Sequence, residues 1–267
     1  MARPNRLREI WQAGDWATNG WLAIPSSYSA ELMAHQGWDS LTVDMQHGVV
    51  DYQAAVGMLQ AISTVPSVVP MARVPWNDPA LIMKLLDAGA YAIVCPMINN
   101  RREAEAFVAA CRYPPLGTRS FGPNRAVLYG GADYAQHANQ IVVALAMIET
   151  KAGIENLEEI VDTPGLDGVY VGPSDLSLAL GLAPSADPTD KSALDVIARI
   201  AAAARRKGKV AGMFTGGPEQ AARMAGQGFQ LLTIMNDGRL LANAAKAAVA
   251  TARGIAPKAE KGPKTGY

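Results

Sequence analysis

The chain has 267 residues, 49% apolar and 18% charged, with 24 basic and 24 acidic side chains and no net charge. That length suits one large α/β barrel or two small domains, and either can bury a sizeable core. The absence of a long basic face argues against nucleic acid as main partner, and neither a leader-like start nor an apolar run of roughly 18 residues predicts export or a membrane span.

Taken in order, short apolar runs alternate with helical spacing. Residues 21–25 predict a first strand and 30–36 a helix. Residues 40–44 and 52–63 repeat the pair, as do 67–72 with 79–88 and 90–95 with 102–111. Cys95 and Cys111, in that fourth pair, are the only cysteines; two make neither a disulfide framework nor a zinc set, so a reducing cytoplasm is expected. Residues 112–138 break the rhythm with little periodicity and seven Pro and Gly residues, a length usually functional or disordered. Strand 141–148 resumes the pattern, followed by one helix across 151–163, clearest over 152–161. Strand 168–171 precedes helix 191–207, 210–214 precedes 218–226, and 231–235 precedes 240–252. Eight strands alternating with eight helices predict an α/β fold, a (β/α)8 TIM barrel formed by one domain over residues 1–253. An open doubly wound sheet is the alternative, and no Gly-x-Gly-x-x-Gly follows the first strand to support its dinucleotide version. The Lys-, Gly- and Pro-rich tail, 254–267, is expected to be flexible.

Barrels carry their chemistry at the carboxyl ends of the strands. Those positions hold Asp44 and His47, Arg73, Glu149 and Asp175. Glu149 and Asp175 are one strand–helix–strand step apart, so their carboxylates fall side by side and suit a divalent cation; both also read as caps of the helices that follow. Arg73 can stabilise an enolate oxyanion or serve in an ion pair. His47 is the histidine at a strand end, suited to proton abstraction next to a carbonyl, with Asp44 to orient it; a surface histidine is the plain alternative. Gly172, Pro173 and Ser174 form a turn whose following N–H groups suit a small carboxylate. Gly216-Gly217 reads as a turn, not as a phosphate site. Lys84, Lys151 and Lys191 lie on helices, which argues against a Schiff-base lysine.

At these residues the chain resembles the class II, metal-dependent pyruvate aldolases, the 4-hydroxy-2-oxoheptanedioate and 2-dehydro-3-deoxyglucarate aldolase family, and most closely its hydroxyketoacid aldolases. The resemblance covers residues 20–250. Its markers include Val43-Asp-Met-Gln-His-Gly48, Arg73-Val-Pro-Trp-Asn-Asp78, Leu85-Leu-Asp-Ala-Gly89, Arg112-Tyr-Pro-Pro-Leu-Gly-Thr-Arg119, Met147-Ile-Glu-Thr150 and Gly172-Pro-Ser-Asp-Leu-Ser177. It implies Glu149 and Asp175 as metal ligands, for Mg²⁺ or Mn²⁺ with Co²⁺ or Zn²⁺ as alternatives. It implies Arg73 on the keto oxygen of pyruvate, His47 and Asp44 around a proton-moving water, and Gly172 to Ser174 on the carboxylate. It implies that Asp87 reaches that dyad from an adjacent subunit of a homohexamer, a trimer of dimers in which helix 240–252 is exchanged. The implied activity is reversible aldol cleavage of 4-hydroxy-2-oxo acids to a 2-oxo acid and an aldehyde, without nucleotide, nucleic acid or membrane. An acyl-CoA lyase of the malyl- or citryl-CoA type and a non-catalytic 2-oxo acid-binding barrel are the alternatives. Met147 and Gln46 depart from members that carry Gln and Glu at those positions.

Overall fold

The computed structural model describes residues 2–255. Helix α1 (Arg6–Gln12) precedes β1 (Ala17–Leu22). Then come α2 (Ser27–Ala34), β2 (Ser40–Asp44), α3 (Tyr52–Ile62), β3 (Val69–Arg73), α4 (Pro79–Asp87), β4 (Ala92–Cys95) and α5 (Arg101–Cys111). Two helices, α6 (Ala126–Gly130) and α7 (Tyr134–Ile141), lead to β5 (Val143–Met147), α8 (Lys151–Glu155), α9 (Leu157–Val161) and β6 (Gly168–Val171). The chain closes with α10 (Pro173–Ala179), α11 (Lys191–Arg206), β7 (Val210–Thr215), α12 (Pro218–Ala225), β8 (Leu231–Asn236) and α13 (Asp237–Ala252). All eight strands are parallel, and β8 pairs with β1 to close the barrel. The expected TIM barrel is therefore the fold.

Alternation along the strands builds two packed layers. On β5, Val143, Leu145 and Met147 join the cluster inside the barrel, whereas Ala144 and Ala146 join the cluster under the helices. This two-sided burial is why the strands read as continuous apolar runs. The barrel interior also holds a polar set. The Asn19 amide donates to Thr233 Oγ1 at 2.6 Å, and its carbonyl oxygen accepts from Ser40 and Thr42 at 3.0 and 3.1 Å.

Several expected boundaries move. The first strand is β1, not 21–25: Thr18 and Asn19 look like loop residues but lie in the sheet, where Asp39, Thr233 and their neighbours satisfy them. The next helix starts at Ser27 because Ser26 caps it, accepting from the Ser29 N–H. The single helix across 151–163 is two, broken at Asn156, whose amide donates to the Asn99 carbonyl. Segment 112–138 is not featureless, since α6 and most of α7 lie in it, and Ile141 belongs to α7 instead of β5. That segment does not cover the carboxyl ends. Arg112 bonds to the Val142 and Gly165 carbonyls and to Asp167, all just before strands begin. Asn5 ties Tyr91 to Ile141 at the same end. The tail expected to be flexible lies, from residue 256, outside the described residues.

Among the described residues, no helix is long and apolar enough to cross a membrane.

Candidate active site

Strands β1, β3, β5, β6 and β7 deliver their carboxyl ends to one cavity at the barrel mouth. Its lining includes Arg73, Met147, Glu149, Asp175 and the Gly172–Ser174 turn, with Trp21, Tyr170 and Phe214 as aromatic walls. Trp21 stacks on Tyr170 with centroids 5.8 Å apart and meets Phe214 edge-on at the same distance.

Glu149 is almost wholly buried. It does not cap α8, because Thr150 does so by accepting from the Gly153 N–H. One carboxylate oxygen accepts the Met97 N–H at 3.0 Å. Met97 presents that N–H from a left-handed backbone (φ 57°), a strained conformation for a side-chain-bearing residue and one that clusters at functional sites. The other oxygen lies against Gly172, where any Cβ would collide with it. Burial raises the Glu149 carboxyl to about 7; the Asp175 charge adds to that rise, and the Met97 N–H and Arg73 oppose it. Asp175 stands in the first turn of α10, a helix with Gly172 at its N-cap position and no side-chain cap.

Arg73 and Asp44 are register partners on neighbouring strands, so their side chains leave the sheet together. Arg73 Nε and Nη2 donate to the two Asp44 oxygens at 2.8 and 2.7 Å, and the guanidinium lies 4.9 Å from the Trp21 ring centroid. Burial works to raise the Asp44 carboxyl, but the guanidinium outweighs it and holds the group below the usual carboxylate range. Asp44 Oδ1 also accepts the N–H groups of Gln46 and His47 at 3.0 and 3.3 Å. Asp44 thus contacts the His47 loop through its main chain. The imidazole of His47, only partly shielded from solvent, is held below its ordinary value by that partial burial and by Arg73, against the pull of Asp44 and Asp175. His35 and His137 are exposed elsewhere.

Asp87 is not gathered into this cavity. It ends α4, so it lies at the amino-terminal end of the barrel, where Arg119 Nη2 donates to it at 2.7 Å. Arg119 is wholly buried against the Tyr113 and Tyr134 rings. Burial raises the Asp87 carboxyl, and Arg119 opposes the rise. At the Gly216-Gly217 turn, the Gly216 N–H donates to the Gln220 side chain at 2.7 Å, so that donor is occupied from within the protein. Among the described residues, no lysine lines the mouth cavity.

Among the described residues, no group of three or more His, Cys, Asp or Glu forms a ready metal cage. Two carboxylates beside a cavity fit a hard cation that takes its remaining oxygens from substrate and water. They do not fit a closed structural zinc site. The walls of the site were missed from sequence: Trp21, Tyr170 and Phe214 look like core residues there, and the Met97 N–H carries no side-chain signal.

Residues 19–244 match the HpcH/HpaI aldolase/citrate lyase family. The hydroxypyruvate/pyruvate aldolase of Rhizorhabdus wittichii is 41% identical over 251 residues, which is 94% of this chain and 100% of that one. The 4-hydroxy-2-oxo-heptane-1,7-dioate aldolase of Escherichia coli is 37% identical over 92% of this chain and 94% of its own. A crystal structure of a family protein from Burkholderia cenocepacia J2315 superposes with a TM-score of 0.87 at 32% identity, covering 93% of this chain and 99% of that one. With a matching barrel, a family match spanning most of the chain and relatives aligned nearly end to end, the chain belongs to the HpcH/HpaI aldolase/citrate lyase family.

Proposed function

We propose that the protein is a divalent-metal-dependent class II aldolase that reversibly cleaves 4-hydroxy-2-oxo acids to pyruvate, or a related 2-oxo acid, and an aldehyde. The observation that carries this reading is the meeting of Glu149, Asp175 and Arg73 around one cavity at the barrel mouth. Curated relatives named as aldolases of pyruvate and of a hydroxy-oxo diacid support the reaction class.

Glu149 and Asp175 would hold the cation, and a divalent ion there, such as Mg²⁺ or Mn²⁺, would supply Lewis-acid polarisation of an oxo acid. Arg73, kept in place by both oxygens of Asp44, faces the keto oxygen and shares the charge that develops there. The Ser174 and Asp175 N–H groups, at the start of α10, receive the substrate carboxylate. His47, kept neutral by its surroundings, moves the C3 proton through a water. Among the described residues no lysine lines the cavity, and the proposed reaction uses none as a Schiff-base nucleophile.

A homohexamer, built as a trimer of dimers, belongs to this proposal. Along the 16 residues of α13, Asp237 alone is buried, and Leu241 and Val249 stand exposed. Such a helix suits the surface of a neighbouring subunit. Asp87, remote from the mouth of its own barrel, suits the mouth of another.

The test is aldol cleavage of a 4-hydroxy-2-oxo acid, followed as pyruvate release. Activity is expected to vanish with EDTA and to return with Mg²⁺ or Mn²⁺. Full turnover by the metal-free protein rejects the scheme.

A further inference from the structure

We infer that Asp237 is a positioning residue for the proton step, holding the His47 loop through a chain of main-chain hydrogen bonds that passes by Ala23 and Val49. The inference rests on the aldolase reading for the role of His47.

Asp237 opens α13, and its Oδ1 accepts the Gly238 N–H at 2.8 Å, yet helix capping accounts for only part of its contacts. Asn236 is the cap, its side chain accepting the Arg239 N–H at 2.8 Å. An acid in a first turn also gains from the helix dipole, but Asp237, 4% exposed, reaches sideways as well, to the segment after β1. Its Oδ1 accepts the Ala23 N–H at 2.9 Å and its Oδ2 the Ile24 N–H at 3.3 Å, with Ser29 Oγ at 3.5 Å from Oδ2. The Ala23 carbonyl in turn accepts the Val49 N–H at 3.0 Å.

Val49 is two residues beyond His47. Gly48, between them, packs so closely that a Cβ there would lie 3.1 Å from Ala23 Cα and collide with the Asp44 carbonyl. The His47 loop is therefore held from two sides. Asp44 takes its leading N–H groups. Ala23 takes its trailing one, and Ala23 is fixed by Asp237. Removing the Asp237 carboxylate frees Ala23 and Ile24 from their acceptor and slackens one of those two holds. Proton transfer depends on placement to a fraction of an ångström, whereas binding by Glu149, Asp175 and Arg73 does not pass through this chain.

The experiment uses the full-length, Mn²⁺-loaded protein carrying Asp237→Ala or Val49→Pro. The proline deletes the Val49 N–H at a residue whose own side chain is exposed. Exchange of the pyruvate methyl protons with D2O, followed by NMR without aldehyde, reads the proton step. Calorimetric titration with pyruvate reads binding. Exchange is expected to fall by about ten- to a hundredfold in each variant, with pyruvate affinity within about threefold of wild type. The double variant should lose no more than the worse single one, as for groups acting in one chain. Exchange within about twofold of wild type in either folded variant overturns the inference, as does an equal fall in exchange and affinity. Should Asp237→Ala fail to fold, Val49→Pro alone decides by the same criteria. Absence of exchange in the wild type rejects the aldolase reading itself, a separate result.

Discussion

At the residue scale, Glu149 combines deep burial with a main-chain donor, and in the proposed scheme its proton and a cation compete for the same carboxylate. Its folded value, about 7, stands above the unfolded 4.5. Between those values the unfolded chain has released a proton that the folded protein retains. The metal-free protein therefore loses stability as pH rises from about 4.5 through about 7, by about 3 kcal/mol. A cation reverses the sense, since it needs the ionised form. Its affinity is expected to fall by up to about tenfold per unit as pH drops below 7. Calorimetric Mn²⁺ titrations at pH 6 and 8 check this, and equal affinities would remove Glu149 from the ligand set. His47 is shifted in the other direction, so its imidazole stays neutral to lower pH than a free histidine.

At the element scale, strands were more legible than the joints between them. The apolar runs 40–44 and 168–171 coincide with β2 and β6 to the residue because both faces of these strands are buried. β1 was displaced because its polar residues are satisfied inside the sheet, a solution that composition cannot display. The break at Asn156 was hidden because it depends on an acceptor 57 positions away. The same division governs the site. Charged residues at strand ends were visible, since few structural needs place them there; the aromatic walls share their residue types with the core. Gly172 shows how tightly neighbouring elements are fitted. Its φ of −96° accommodates alanine, so the obstacle is space: a Cβ would meet the Glu149 carboxylate and come 3.0 Å from Met147 Cε. Gly172→Ala is expected to lower Tm, at a cost of about 1–3 kcal/mol, and to weaken Mn²⁺ binding. Unchanged values in both measurements would show that β5 and α10 have room to part.

At the scale of the whole molecule, the two ends of the barrel do different work. The amino-terminal end is locked: Arg8 and Arg112 converge on Asp167, and Arg119 is buried beside Asp87. The mouth holds the open cavity, the exposed His47 and the root of α13. A barrel locked at one end can keep strain and open space at the other.

The bare shaft of α13 carries a consequence for how such a catalyst behaves on dilution. A 16-residue helix without tertiary cover is only marginally stable in water, and its first residue grips the segment that steadies the histidine loop. In the proposed assembly, turnover per protomer should then be constant in a concentrated solution and decline once copies separate. A plot of rate against protein concentration should curve upward from the origin before it straightens. A straight line down to the most dilute sample would mean that each barrel keeps its own α13 in order.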